Sequence, residues 1–61
     1  MNEEHRILSL INAETDSLRE LLSMHVDWDV LMSILATTDK INKLYDELSA
    51  QVEMRLLLER V

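Results

Sequence analysis

Apolar residues recur at helical spacing in two stretches of the chain. In the first stretch, the apolar residues that share one face at about 100° per residue are Ile7, Ile11, Leu18, Leu21 and Leu22. Asn2 precedes them and is a good N-cap, because its side chain can accept a hydrogen bond from a free backbone N–H of the first turn. The pattern predicts a first helix from about residue 3 to residue 25, with an apolar face broader than one partner helix needs.

The segment HVDWDV, residues 25–30, contains the clearest break in the pattern. Asp27 can cap a second helix, and Asp29 adds a carboxylate to the first turn, where the helix dipole favours negative charge. The alternative is that both aspartates belong to a solvated bend. The capping interpretation predicts that the second helix begins at about residue 27.

The segment LATTDKI, residues 35–41, decides whether that second helix is continuous. Seam positions keep heptad spacing across it without a slip in phase: Leu31, Ile34, Thr38, Ile41, Tyr45, Leu48 and Val52. Asp39 and Lys43 are also spaced for a favourable i,i+4 ion pair. The pattern favours one helix that ends at about residue 60. A break near Thr37, which gives a three-helix unit, is the alternative.

Two helices joined by a short turn predict an all-α antiparallel hairpin, with residues 1–61 forming a single domain. A chain of 61 residues buries a small core, and the absence of cysteine excludes stabilisation by disulfides. We therefore expect the hairpin to self-associate as a homodimer or higher homo-oligomer. A four-helix bundle is the expected product.

Polar residues fall inside the predicted seam. If residue i of the first helix faces about residue 52−i of the second, Glu14 lies opposite Thr38, with Asp39 nearby. A polar layer of this kind fixes the register of an apolar seam while it lowers stability. A binding or catalytic site on the same three residues is the alternative, but no nucleophile, base or metal shell accompanies them.

Apolar residues outside the seam predict contact surfaces. One patch consists of Trp28, Met32 and Leu35. A second set, beyond the expected reach of the first helix, follows the spacing of one helical face and consists of Met54, Leu57, Leu58 and Val61. Exposed apolar patches of this kind mark sites for a second copy or for another protein. A frayed C-terminus is the alternative interpretation of the second set.

Charge and composition narrow the possible functions. Twelve acidic and six basic residues give a net charge of −6, which argues against binding nucleic acid or an anionic membrane surface. No apolar run approaches the roughly 20 residues that span a bilayer. The start of the chain, MNEEHR, lacks a secretory signal pattern, so we expect a cytoplasmic protein.

The sequence offers little for catalysis. It has no Gly-rich phosphate loop and no metal-binding motif. His5 and His25 would lie about 30 Å apart at opposite ends of the first helix. We therefore expect no cofactor, no metal and no enzymatic activity. The expected function is a small acidic protein–protein interaction module, such as an adaptor, chaperone subunit or regulator, that acts by occupying a partner surface.

One spacing on the second helix resembles that of a known family. Asp39 is followed six positions later by the aromatic Tyr45. The small helical-hairpin phosphatases that act on aspartyl-phosphates in the bacterial sporulation phosphorelay share this spacing. Their Ser-Gln-Glu-Leu sequence before the Asp is replaced here by residues 35–38, LATT, so the resemblance covers two positions and the hairpin shape. It implies an accessory regulator of phosphotransfer signalling as the alternative function.

Overall fold

The computed structural model describes residues 2–60, which form two α-helices and no strand. Helix α1 runs Glu3–Leu22 and helix α2 runs Trp28–Glu59. Residues 23–27 connect them, and the helices pack against each other in antiparallel order. The predicted all-α hairpin is therefore confirmed, although α1 ends three residues before the predicted boundary.

Both helices begin at the predicted caps. The side chain of Asn2 accepts a hydrogen bond from the backbone N–H of His5 at 2.8 Å. The Asp27 side chain accepts one from the N–H of Val30 at 2.9 Å. At the end of α1, the Ser23 hydroxyl donates to the carbonyl of Glu20 at 2.7 Å. These side chains satisfy backbone groups that a helix end leaves free, so the turn has defined borders.

Helix α2 passes through LATTDKI without interruption, which excludes the three-helix alternative. The Thr37 hydroxyl donates to the carbonyl of Ser33, and the Thr38 hydroxyl to that of Ile34, each at 2.8 Å. Threonine hydroxyls are accommodated inside helices through such bonds to the preceding turn. The predicted ion pair of Lys43 with Asp39 is present at 3.1 Å.

The seam between the helices is rotated slightly around α2 from the predicted one. The buried hydrophobic residues are Ile7, Ile11, Val30 and Ile41, of which Ile7 is fully buried. Around them, the buried and half-buried positions of α2 at heptad spacing are Val30, Ile34, Thr37, Ile41, Leu44, Leu48 and Gln51. This row keeps three predicted residues and replaces the other four by the residues before them; of those four, Thr38 and Tyr45 are exposed, and Leu31 and Val52 are half-buried. The positions on both sides of the row are largely exposed, with only Leu31 and Val52 half-buried beside it.

The register also corrects the sequence prediction. Arg55 Nε donates to Glu4 Oε2 at 2.7 Å, across the two helices. The start of α1 therefore reaches residue 55, whereas the prediction placed Asn2 opposite residue 50 and left everything beyond it without a partner in the chain. The segment that was expected to extend freely is partly engaged by α1.

The hairpin is long and thin. It measures 52 × 18 × 11 Å, and its radius of gyration is 14.9 Å, whereas a compact domain of this length has about 10.5 Å. Its accessible surface is 5005 Å², whereas a compact folded monomer of this mass exposes about 4,100 Å². An excess of about 900 Å² thus stays open to solvent, because two helices alone cannot enclose a core.

The cap at Asp27 gives a direct test of the turn. Asp27→Ala should lower the free energy of unfolding by about 0.5–2 kcal/mol, because the Val30 N–H loses its acceptor. Asp27→Asn is the matched control and should keep most of the stability, since asparagine caps as well as aspartate. Urea denaturation followed by circular dichroism measures both. Equal losses in the two variants would show that charge, and not the cap, matters at this position.

Candidate functional site

A second row of residues follows the seam along α2, one position after each seam residue. We call it the flanking stripe, and it consists of Leu31, Leu35, Thr38, Asn42, Tyr45, Ser49, Val52 and Leu56. Leu31 and Val52 are half-buried and the other members are exposed; the exposed fraction is 55% for Leu35, 50% for Tyr45 and 48% for Leu56. Because the row keeps heptad spacing, it forms a continuous line beside the seam over nearly the whole of α2.

The C-terminal half of the flanking stripe lines an open groove of about 530 Å³. Tyr45, Val52 and Leu56 contribute to it, and Leu57 and Arg60 stand at its far end. Helix α1 adds Leu8, which lines a shallow cleft together with Tyr45 and is 48% exposed. The flanking stripe and the adjacent side of α1 therefore form one open, largely apolar face of the hairpin, which we call the open face.

The structure places the predicted contact residues in separate locations. Trp28 and Met32 are exposed on the outer side of α2, and Leu35 belongs to the flanking stripe. Leu57 belongs to the groove beside the stripe. Met54 and Leu58 line a different cleft, of about 350 Å³, beside Asn2, Glu3 and Glu4. Val61 lies outside the described residues.

The predicted polar layer is not assembled. Glu14 is half-buried on the inner side of α1. Thr38 and Asp39 are exposed, and each bonds within α2, to Ile34 and Lys43 respectively. Thr37 takes the half-buried position that was expected for Thr38. The reason is the rotation of the seam around α2, which places Thr37 in it and leaves Thr38 outside.

Ion pairs border the cleft at the start of α1. Arg55 contacts Glu4 at 2.7 Å and Glu59 at 3.2 Å, and these hydrogen bonds raise the pKa of its guanidinium. Arg6 pairs with Glu3, and the hydrogen bond from Arg6 lowers the pKa of the Glu3 carboxyl. The Arg55 network ties the end of α2 to α1, whereas the Arg6–Glu3 pair lies within α1; neither isolates charge from water.

The described residues show few other chemical features. Among residues 2–60, no three His, Asp or Glu side chains are grouped to hold a metal ion. Neither helix in that range combines the length and apolar character needed to cross a membrane. Asp39 and Tyr45, which carry the family resemblance, have different surroundings: Asp39 pairs with Lys43, and Tyr45 lines the groove.

Asn42 and Ser49 are members of the flanking stripe that the sequence reasoning did not single out. Both are polar, so a search for apolar residues outside the seam passes over them. The signal that could have revealed them is heptad spacing itself, because a second row with the same period lies beside the first. The open face is therefore recognised by the heptad spacing of its residues, and not by their hydrophobicity alone.

Comparisons with protein-family models, with characterised proteins and with solved structures each find no match to this chain. The open face and the clefts beside it are therefore the features of the molecule that bear on its function.

The Glu3–Arg6 pair predicts a pH dependence with a definite sign. Because Arg6 lowers the pKa of Glu3 below its ordinary value of 4.5, this pair stabilises the fold above that value and loses its effect as the pH falls through the lowered pKa. Glu3→Gln should therefore be less stable than the unsubstituted chain at neutral pH, and the difference should shrink in acid. Urea denaturation over a pH series measures it. Arg6→Gln should reproduce the trend, and a difference that is constant with pH would contradict it.

Proposed function

We propose that this protein is a protein–protein interaction module that works as a homodimer, in which two hairpins pair through their open faces into a four-helix bundle. The observation that carries the proposal is the excess of about 900 Å² of accessible surface over a compact monomer. Specific protein interfaces bury about 800 Å² on each partner. The uncovered surface of one hairpin is therefore of the size that one protein interface needs.

The distribution of apolar residues supports the same proposal. Leu35, Tyr45 and Leu56 lie along the open face and are each about half-exposed. Full burial of a large apolar side chain contributes about 1.5–3 kcal/mol, so covering this face can stabilise a chain that has few buried residues of its own. A second hairpin supplies a matching surface of the same length, and packing two helices on two is the usual way for such faces to form one core.

The homodimer would keep a second surface for a different protein. Met54 and Leu58 line the cleft beside the start of α1, away from the flanking stripe, and Leu58 is 71% exposed. An amphipathic helix from a partner protein fits this cleft, since its apolar side could cover both residues. The bundle would then act as an adaptor or regulator by binding the partner's helix and covering its apolar side.

The flanking stripe should be required for dimerisation. Leu35→Lys with Leu56→Lys should convert the dimer into a monomer, because both charges would be buried in the interface. The matched control is Leu10→Lys with Met54→Lys, which changes the net charge equally but lies on the opposite flank of the seam. Sedimentation equilibrium gives the mass of each sample, and circular dichroism gives its helicity.

Two outcomes would contradict this proposal. A monomeric mass for the unsubstituted chain at tens of micromolar, with full helicity, would show that the hairpin does not self-associate. A dimer that survives the Leu35/Leu56 change but is lost in the control would move the interface to the other flank.

Dimerisation should also tighten as salt is added. Each chain carries a net charge of −6, so two copies repel each other at low ionic strength. Salt screens this repulsion and leaves apolar burial unaffected or strengthened. The dissociation constant from sedimentation should fall between low salt and about 0.5 M salt, where the Debye length is only a few Å. An interface held mainly by ion pairs would show the opposite trend.

A further inference from the structure

The order of residues along the flanking stripe defines how a second copy can lie on it. This inference rests on the homodimer proposed above. In a two-fold interface, if residue i contacts residue j of the second copy, then j contacts i. An antiparallel pairing of the flanking stripe with itself therefore matches its first position with its last, its second with its last but one, and so on to the centre.

The outer positions match apolar with apolar. Reversed onto itself, the flanking stripe sets Leu31 opposite Leu56 and Leu35 opposite Val52. These four side chains are exposed or half-buried in the single hairpin, so each has area left to bury. Both ends of the paired helices would thus be closed by aliphatic contacts.

The inner positions match polar with polar. Thr38 falls opposite Ser49, and Asn42 falls opposite Tyr45, whose hydroxyl can bond to an amide. A shift of one heptad in one direction would set Asn42 against Val52 and Thr38 against Leu56. A shift in the other direction would set Leu31 against Ser49, so either one leaves polar groups facing apolar ones. Polar residues inside an apolar row are known to fix register in this way.

Helix α1 carries a similar row beside the open face, with the polar residues Asn12 and Arg19 between its members. Leu8, Thr15 and Leu22 lie seven residues apart and are apolar, polar and apolar. Leu8 is 48% exposed and Leu22 is 61% exposed. Reversed onto a second α1, Leu8 would face Leu22 and Thr15 would face its own counterpart. Both helices of the hairpin are therefore self-complementary in the same antiparallel sense.

The other two-fold arrangement fits less well. If the symmetry axis ran along the helices, α2 would face α1 of the second copy at the same level. The contact of Glu4 with Arg55 shows that the start of α1 lies at that level of α2. Val52 and Leu56 would then meet the polar beginning of α1, around His5, and not an apolar row.

We infer that the second copy binds antiparallel, α2 against α2 and α1 against α1, with the two-fold axis passing between Asn42 and Tyr45. This arrangement covers the flanking stripe along its full length. It also places the two interhelical turns at opposite ends of the bundle.

Cysteine crosslinking tests the inference, because the chain has no cysteine of its own. Thr38→Cys and Ser49→Cys are made as separate chains, mixed, and treated with a short bismaleimide whose reach suits helix axes about 8–10 Å apart. The mixture should give covalent dimers. Each variant alone should give few, because two copies of the same position lie about 16 Å apart along the helix axis. A mixture of Ser33→Cys with Ser49→Cys, from opposite flanks of α2, is the control.

Sedimentation of the same samples separates the two possible failures. Dimers that crosslink in the Thr38/Ser49 mixture alone support the antiparallel arrangement. Dimers without that crosslink, or with crosslinks in each single variant, would overturn the arrangement while leaving self-association intact. Monomers in every sample would overturn the homodimer itself, and the inference with it.

Discussion

An α-helix that packs against a single neighbour buries one row of side chains, and α2 carries two such rows. The inner row meets α1 and contains Ile34, Ile41 and Leu48. The outer row, the flanking stripe, has the same period and remains open. This mismatch between one available partner helix and two rows produces the thin shape, the small core and the excess surface. The open face and the clefts follow from it, and so does the proposal that a second copy completes the fold.

The continuity of α2 is the condition for this arrangement. A helix broken at Thr37 and Thr38 would reset the phase, and neither row would extend over its whole length. The threonine hydroxyls instead bond to carbonyls one turn earlier, and Lys43 pairs with Asp39 across the same stretch. These local bonds keep polar residues inside a long helix, and they leave Thr38 in the middle of the outer row.

Local rules predicted the local features well. The caps at Asn2 and Asp27 depend on a side chain and a backbone N–H three residues apart, and both are present. The phase of the seam depends on which side of α2 meets α1, and Leu44 and Tyr45 are adjacent, large residues that both suit a seam. The register depends on how far α1 slides along α2. A pattern of period seven fits again after each slide of one heptad, so the pattern does not select one register. Packing of the two helices determines the phase and the register, and the residue pattern alone did not. The polar layer of Glu14 and Thr38 was misplaced for this reason.

The two functional hypotheses make opposite demands on Tyr45. In the antiparallel homodimer, Tyr45 lies beside the symmetry axis and is covered by the second copy. The resemblance to the phosphorelay phosphatases depends on Asp39 and Tyr45 together, and a partner protein could contact both only while the open face is free. Asp39 lies outside the flanking stripe and is exposed in the single hairpin. A chain that used both surfaces would have to exchange one occupant for the other, so self-association would compete with any partner bound at Tyr45 and would spare one bound at Met54 and Leu58.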